Sequence, residues 1–383
     1  MKIYFITRGF PSESNLMLGN YESVQARALV KLGHEVVNIC APSVYKSELH
    51  LFDRNRLTSR IVDGVKVYEI IGIFPYLLAK FFRPLWLSKL IVRMNYGHLI
   101  KEVIKKEGLP DVAHIHILYV AYFAIFSNAL KGIPLVITEH WSELENDENH
   151  DISWMSKAYQ EANAIIAVSN SLAQSVQNLC HRPVNVINNM VDDRFWKSTP
   201  TRRVDSKFHF ITVGRLCDNK HYDMLIDAFD NCYFSDDTVL DIVGDGENKN
   251  QLERLIEKKK LGDRIFLHGL KSSDEVAVML ASSDCFVLSS SLETFGIVLI
   301  EAMAKGLPVI TTCCGGPDEF VTSGTGVIVP KDDCLAFTSA MKKMRVETGN
   351  YDKEAIKQYC YDNFSQAAIA KQIIDVYNRV LKQ

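Results

Sequence analysis

The sequence predicts an α/β protein built from two parallel-sheet domains in tandem. Three observations carry this. A chain of 383 residues holds two domains at roughly 100 to 200 residues each. Short β-branched runs alternate with helical stretches from end to end, the pattern of βαβ units with both sheet faces covered. A polar stretch at 192–206, containing Ser198-Thr199-Pro200-Thr201-Arg202-Arg203, interrupts that rhythm before it restarts.

In the front half Lys2–Thr7, Glu35–Cys40 and residues 65–70, 112–117, 134–138 and 164–168 read as strands. A helix over 17–32 stops at Gly33, where a left-handed residue closes it. The stretch 112–130 has 19 residues without a formal charge, close to the length that spans a bilayer. Its first part alternates around His114 and His116, and the rest suits a core helix, so a strand and a helix are expected rather than a membrane span. After the polar break, Phe208–Val213 and residues 239–243, 265–268, 285–289, 308–312 and 327–329 read as strands. The last segment, 365–382, is amphipathic through Ile369, Ile373, Ile374, Val376, Tyr377 and Val380, and reads as a closing helix. The expected domains are 1–195, 206–364 and a C-terminal helix 365–383 that packs back on the first.

Composition narrows the function. With 47% apolar and 23% charged residues and a net charge of −3, the chain is an ordinary globular protein and not a dedicated nucleic-acid binder. The charge is uneven, +7 over residues 1–110 and −10 over the remainder, so the front faces something anionic. Nine cysteines show neither CxxC pairs nor zinc spacing, and several lie in apolar runs, which fits a reduced, cytoplasmic protein. The first eight residues are charged too soon for a signal peptide and read as a strand.

Ligands of open parallel sheets bind beyond the carboxyl ends of strands. After Phe208–Val213 comes Gly214-Arg215-Leu216-Cys217-Asp218-Asn219-Lys220. This is either a solvated turn or a pair of cations converging on a diphosphate. After 285–289, Glu301 is the one polar side chain between Phe295 and Ala304. A carboxylate on such a helix needs partners, and ligand hydroxyls are suitable ones. The backbone N–H groups of Phe295 and Gly296 at the helix start suit a phosphate.

The Glu-x7-Glu element Glu293…Glu301 lies within Ser291-Leu292-Glu293-Thr294-Phe295-Gly296 and Glu301-Ala302-Met303-Ala304-Lys305-Gly306-Leu307-Pro308. Together with Gly214-Arg215…Lys220, Gly244-Asp245-Gly246, His268-Gly269, Gly315-Gly316-Pro317-Asp318-Glu319 and Leu32-Gly33-His34-Glu35-Val36, it resembles the family-4 retaining glycosyltransferases. The resemblance spans nearly the whole chain. It implies the GT-B fold, with two Rossmann-like domains facing a central cleft. Arg215 and Lys220 would bind the donor diphosphate, Glu301 the ribose and Glu293 a sugar hydroxyl, while Phe295 and Gly296 would offer amides. The same resemblance puts Gly19, Gly269, Leu270 and Thr294 in the donor site and His140 beside the reacting sugar; His114 and His116 read as core or cleft-wall residues. One departure is Asn20, which follows Gly19 where many relatives have a second glycine.

The expectation is therefore a retaining hexosyltransferase using a UDP- or GDP-sugar. No cofactor or metal is expected, because the chain lacks any Asp-x-Asp. A nucleotide-sugar epimerase on the same architecture is the alternative. A nicotinamide enzyme is disfavoured because Lys249 stands where the third glycine after Gly244-Asp245-Gly246 belongs. A non-catalytic two-domain sugar receptor is disfavoured by the Glu293/Glu301 pair. The acceptor is expected to be a glycan or lipid-linked sugar of bacterial surface polysaccharide synthesis. Residues 73–106 hold seven basic and one acidic residue among Phe74, Tyr76, Phe81, Phe82 and Trp86. This reads as a face for an anionic membrane or as core helices with solvated cations.

Overall fold

The computed structural model describes residues 1–12, 18–40, 56–71, 85–140, 152–197 and 205–382. They divide into two compact units, Met1–Asn188 with Ile369–Gln383, and Asn189–Ala368.

The first unit has β1 (Lys2–Thr7), α1 (Asn20–Lys31), β2 (Glu35–Cys40), β3 (Arg56–Val62), β4 (Val65–Ile71), α2 (Leu85–Glu107), β5 (Val112–His116), α3 (Leu118–Phe126), β6 (Leu135–Glu139), α4 (Ser153–Glu161), β7 (Ala164–Ala167), α5 (Asn170–Cys180) and β8 (Asn185–Val186). Among the described residues they form a sheet of order β3-β4-β2-β1-β5-β6-β7-β8. β1 lies inside it, with Ile3, Tyr4, Phe5 and Ile6 fully buried, as a strand covered on both faces must be. Among the described strands, only β3 runs antiparallel. Asp63 (φ 50) and Gly64 (φ 82) turn β3 into β4, the Asp-Gly hairpin turn that needs two positive φ values. Helix α1 closes with Gly33 at φ 84, where His34 N–H reaches Leu29 C=O and Gly33 N–H reaches Val30 C=O. This pair of bonds satisfies the last carbonyls of the helix.

The second unit has β9 (Phe208–Val213), α6 (Tyr222–Asn231), β10 (Thr238–Val243), α7 (Lys249–Lys258), β11 (Ile265–Leu267), α8 (Ser273–Ala281), β12 (Cys285–Leu288), α9 (Ile297–Ala304), β13 (Val309–Thr312), β14 (Gly326–Val329), α10 (Cys334–Glu347) and α11 (Lys353–Phe364). Its sheet, β11-β10-β9-β12-β13-β14, is parallel throughout. Phe210, Phe229, Phe337 and Met341 anchor the core. The final helix, α12 (Gln366–Val380), groups with the first unit from Ile369 onward and buries Ile369, Ile373, Val376, Tyr377 and Val380.

Every segment read from the sequence as a strand is one, within a residue at each end. Two differences have physical causes. The helix read over 17–32 begins at Asn20, because Gly19 takes a left-handed φ of 70. The polar stretch 192–206 opens with an ordered turn in which Asp192 accepts from Arg194 N–H; residues 198–204 lie outside the described residues. Of the cation-rich stretch, residues 73–84 also lie outside them. On α2, Tyr96, Leu99, Ile100 and Val103 are buried while Arg93, Lys101, Lys105 and Lys106 are exposed. No helix among the described residues is long and apolar enough to cross a membrane.

Candidate active site

Strand order reverses beside β1 in the first sheet and beside β9 in the second. These switch points open a crevice at the carboxyl ends of the strands. Each unit places its candidate residues there.

In the second unit, Glu293 follows β12 and is clamped through its backbone. Its N–H donates to Cys314 C=O and its C=O accepts from Gly316 N–H. The loop making those bonds is held by Asp318, which accepts from the N–H groups of Cys314 and Gly315. Gly316 must be glycine here, since a Cβ would stand 2.4 Å from Phe295 Cα. The Gly-Gly-Pro-Asp-Glu motif is thus the brace of the Glu293 loop. The Glu293 carboxylate accepts from Ser290 Oγ at 2.8 Å and is ion-paired with Lys220. Both side chains are largely buried. Burial alone pulls the Lys220 ammonium down, but the Glu293 charge and hydrogen bond outweigh it and raise its pKa. Lys220 itself is carried on a short turn after β9, tied to the β12 end where Ser289 Oγ donates to its C=O.

Arg215, expected beside Lys220, has a different partner: its exposed guanidinium bonds Glu247 at 3.1 Å. Phe295 is a core residue whose ring meets Phe320 and Phe364. Gly296 (φ 82) starts α9. Thr294 is half-buried beside Glu293, and Leu270 is exposed next to Gly269 (φ 69). Glu301 lies on α9, partly exposed, near Asp192 and Arg194. Burial first, and then the Asp192 charge, push its carboxyl up to about 8 against the opposing pull of Arg194. The acid is therefore a hydrogen-bond donor at neutral pH. Arg194 is held by Asp192 and Asp274.

In the first unit, β6 delivers Glu139 and His140. The buried Glu139 carboxylate accepts from Leu118 N–H, Tyr159 Oη and His140 N–H, each at 2.9 Å. It thereby fixes the start of α3, where Ile117 holds a φ of 75, and the backbone of His140. The His140 ring is half-buried and bonded to His116 Nδ1 at 3.1 Å. Burial, with the Arg8 charge added, lowers its pKa to about 3, so it is neutral. His114 and His116 are fully buried, as a place in the core implies. Gly19 is required by a close approach, since a Cβ would sit 2.0 Å from Gly9 C=O.

The sequence reading missed Arg8 and Glu22. Arg8 follows β1, is exposed, and its charge acts on both His140 and Glu22; the strand-end rule applied to β1 would have found it. Glu22 is buried on the first turn of α1, and burial raises its carboxyl pKa. Among the described residues no cluster of His, Cys, Asp or Glu is arranged to hold a metal ion.

Two α/β units, each with candidate residues at the switch point of its sheet, have the architecture of the GT-B fold. Comparison with known proteins bears this out. Glycosyltransferase Family 4 matches residues 24–195, and Glycosyl transferases group 1 matches residues 195–359. An uncharacterized glycosyltransferase of Methanocaldococcus jannaschii is 30% identical over 282 residues, covering 70% of this chain and 76% of its own length. The N-acetyl-alpha-D-glucosaminyl L-malate synthase of Bacillus anthracis is 26% identical over 301 residues, covering 73% and 77%. Among solved structures, Anabaena HepE in complex with UDP-glucose superposes with a TM-score of 0.74 at 19% identity, covering 99% of this chain and 100% of its own. The chain belongs to the group 1, family 4 glycosyltransferases.

Proposed function

We propose that the protein is a retaining hexosyltransferase that moves a sugar from a UDP- or GDP-sugar to a glycan or lipid-linked acceptor without a metal ion, in bacterial surface polysaccharide or glycoconjugate synthesis. The observation that carries this is the Ser290–Glu293–Lys220 cluster at the carboxyl ends of β9 and β12. An ammonium there meets the departing diphosphate, and a carboxylate one hydrogen bond away meets a sugar hydroxyl. Lys220, Arg215 and the amides of Phe295 and Gly296 stabilise the leaving diphosphate, which is the work a metal does elsewhere. Glu301, as a neutral acid, donates to the ribose. Gly19, Gly269, Leu270 and Thr294 complete the donor site. His140, neutral at working pH, hydrogen-bonds the transferred sugar, and the acceptor attacks on the face the diphosphate leaves. Anabaena HepE, solved with UDP-glucose, supports a nucleotide-sugar donor for this fold.

The test is a thermal-shift screen of UDP, GDP and ADP sugars, followed by NMR of the product with chelator present. A ligand at 100 times its dissociation constant adds about 2.7 kcal/mol to stability. The product is expected to keep the donor's anomeric configuration. An inverted anomer or a strict need for Mg or Mn contradicts the mechanism. A new sugar formed from pure donor without acceptor marks the protein as an epimerase.

We further propose that the protein works at the inner face of the cytoplasmic membrane. Support comes from the cations and aromatics of residues 73–106, of which Arg93, Lys101, Lys105 and Lys106 are exposed on α2. Each such cation near an anionic leaflet contributes about 1 kcal/mol. Sedimentation with anionic vesicles is expected at low salt and not at high salt. Binding unchanged by Arg93→Glu with Lys101→Glu assigns the acceptor to solution.

A further inference from the structure

Strand β10 carries a carboxylate in the middle of an apolar run. Val239, Leu240, Ile242 and Val243 are buried, and Asp241 is buried with them, which is costly unless its oxygens are satisfied. Two imidazoles from the flanking strands satisfy them. Asp241 pairs in register with Phe266 of β11, and Val239 with His209 of β9. His268 stands two residues beyond Phe266 and Asp241 two beyond Val239, so the three side chains share one face of the sheet. Asp241 Oδ1 lies 2.6 Å from His268 Nε2, and Oδ2 lies 2.7 Å from His209 Nδ1.

The carboxylate fixes the direction of both bonds. Burial alone would raise its pKa, but the bonds from His209 and His268 outweigh burial and hold the carboxyl below its ordinary value. An ionised carboxylate only accepts. His268 therefore carries a proton on Nε2 and donates it to Asp241, in a charge-assisted bond stronger than one between neutral groups.

This bond anchors a short loop. His268 follows β11, and its N–H donates to Ile242 C=O. The chain takes a left-handed φ of 69 at Gly269, and Gly269, Leu270 and Lys271 lead to Ser272, where a capping box starts α8. Ser272 Oγ accepts from Glu275 N–H, and Glu275 Oε2 accepts from Ser272 N–H. The loop is thus hung between two fixed points, with Leu270 61% exposed. One side of it is tied to the turn that carries Lys220: Gly269 C=O accepts from Gly244 N–H at 3.0 Å, and Gly244 packs so closely on Gly214 that a Cβ would stand 1.8 Å from Gly214 C=O. The other side leads to the Glu301 cluster, since Asp274 on α8 holds Arg194 and the Arg194 charge acts on Glu301. A loop joined to the diphosphate turn on one side and to the ribose acid on the other lies beside the nucleoside of a bound donor.

We propose that Asp241 and His268 are positioning residues that hold Gly269-Leu270-Lys271 in place to seat the nucleoside of the donor. Part of the donor affinity is then set by a carboxylate that does not touch the donor. The inference rests on the donor-site reading for what the loop touches, while the Asp241–His268 bond does not depend on it.

The first measurement is long-range proton–nitrogen correlation NMR of histidine-labelled full-length protein at neutral pH without ligand. His268 is expected to be protonated at Nε2; an unprotonated Nε2 overturns the proposal, and this result needs no variant to fold. The second compares variants by calorimetric titration with UDP, GDP and ADP and by donor kinetics. His268→Leu leaves Asp241 bonded to His209, so no bare charge is buried. It is expected to weaken nucleotide binding and raise the donor KM about tenfold, the scale of one charge-assisted hydrogen bond, with kcat little changed. His268→Gln, whose amide N–H stands in for Nε2–H, is expected to restore both. Wild-type nucleotide affinity in His268→Leu, a loss carried by kcat instead of KM, or no recovery in His268→Gln overturns the proposal, because a merely structural role would not divide KM from kcat in this way. Failure of the donor-site reading shows separately, as a wild type that binds none of the three nucleotides while His268 is protonated at Nε2 as expected.

Discussion

Lys220→Met is expected to weaken donor binding about tenfold to a hundredfold and to destabilise the protein by about 3 kcal/mol, two effects with different origins. The first is the loss of a charge-assisted hydrogen bond to the diphosphate, about 1.5 to 3 kcal/mol. The second comes from the ligand-free protein. Glu293 is 13% exposed and its partner Lys220 17%; removing one member leaves a buried charge uncompensated, which costs more than the pair contributes. Ser290 Oγ still donates to the carboxylate, which puts the loss at the low end of the range. The double variant Lys220→Met with Glu293→Gln separates the two effects. It is expected to recover most of the stability and none of the donor affinity, measured by urea unfolding and by calorimetric titration of the donor nucleotide. Wild-type donor affinity in Lys220→Met removes the lysine from the diphosphate site.

That pair also shows where reading the sequence stops. Lys220 was legible because it follows the strand Phe208–Val213, whereas Glu293 was legible only through the Glu-x7-Glu element that carries the family resemblance. Their pairing was not, since they are 73 residues apart and meet only because β9 and β12 are neighbours in the sheet. Arg215 and Lys220 share one turn, yet without a ligand Arg215 bonds Glu247 and Lys220 bonds Glu293, a divergence that their spacing does not reveal. Strands with continuous apolar runs, such as Lys2–Thr7 and Phe208–Val213, were legible to the residue because burial on both faces leaves no alternative pattern. β3 was not: Arg56, Thr58 and Arg60 interrupt its hydrophobicity, as an edge strand permits. The Asp63-Gly64 turn that follows it was the available signal. β8 has two residues, too few for any period.

The histidines show the same limit in a subtler form. His114 and His116 share a strand face by simple alternation, so their burial was legible. The contact between His116 and His140 depends on how β5 and β6 are registered, and register is set by packing across the sheet rather than by either strand's own residues. Function in this fold is assembled from strand ends, and a sequence names the ends more readily than their neighbours.

Glu293→Gln is expected to lower kcat about a hundredfold or more while donor affinity changes severalfold at most, the scale of one electrostatic group that acts on the reacting sugar. Glutamine keeps the size and the hydrogen bond from Ser290 but loses the charge that orients Lys220 and the sugar hydroxyl. Glu301→Gln is expected to behave in the opposite way, because its carboxyl, pushed up to about 8 by burial and Asp192, is already neutral at pH 7. An amide is then a fair substitute there, and turnover should be near wild type. The pH dependence distinguishes the two. A carboxyl whose folded pKa lies above its ordinary 4.5 binds a proton in the folded state that the unfolded state has released. Its contribution to stability is complete below about pH 4.5 and is lost progressively as pH rises to about 8. Wild-type Tm is therefore expected to fall across that window through Glu301, donor affinity to weaken above pH 8 as the acid ionises and stops donating to the ribose, and both trends to be reduced in Glu301→Gln. Glu293→Gln leaves that Glu301-linked pH trend in place. Equal kinetic signatures for the two variants, or a pH profile that Glu301→Gln does not alter, would show that the carboxylates act as one unit on the same part of the donor.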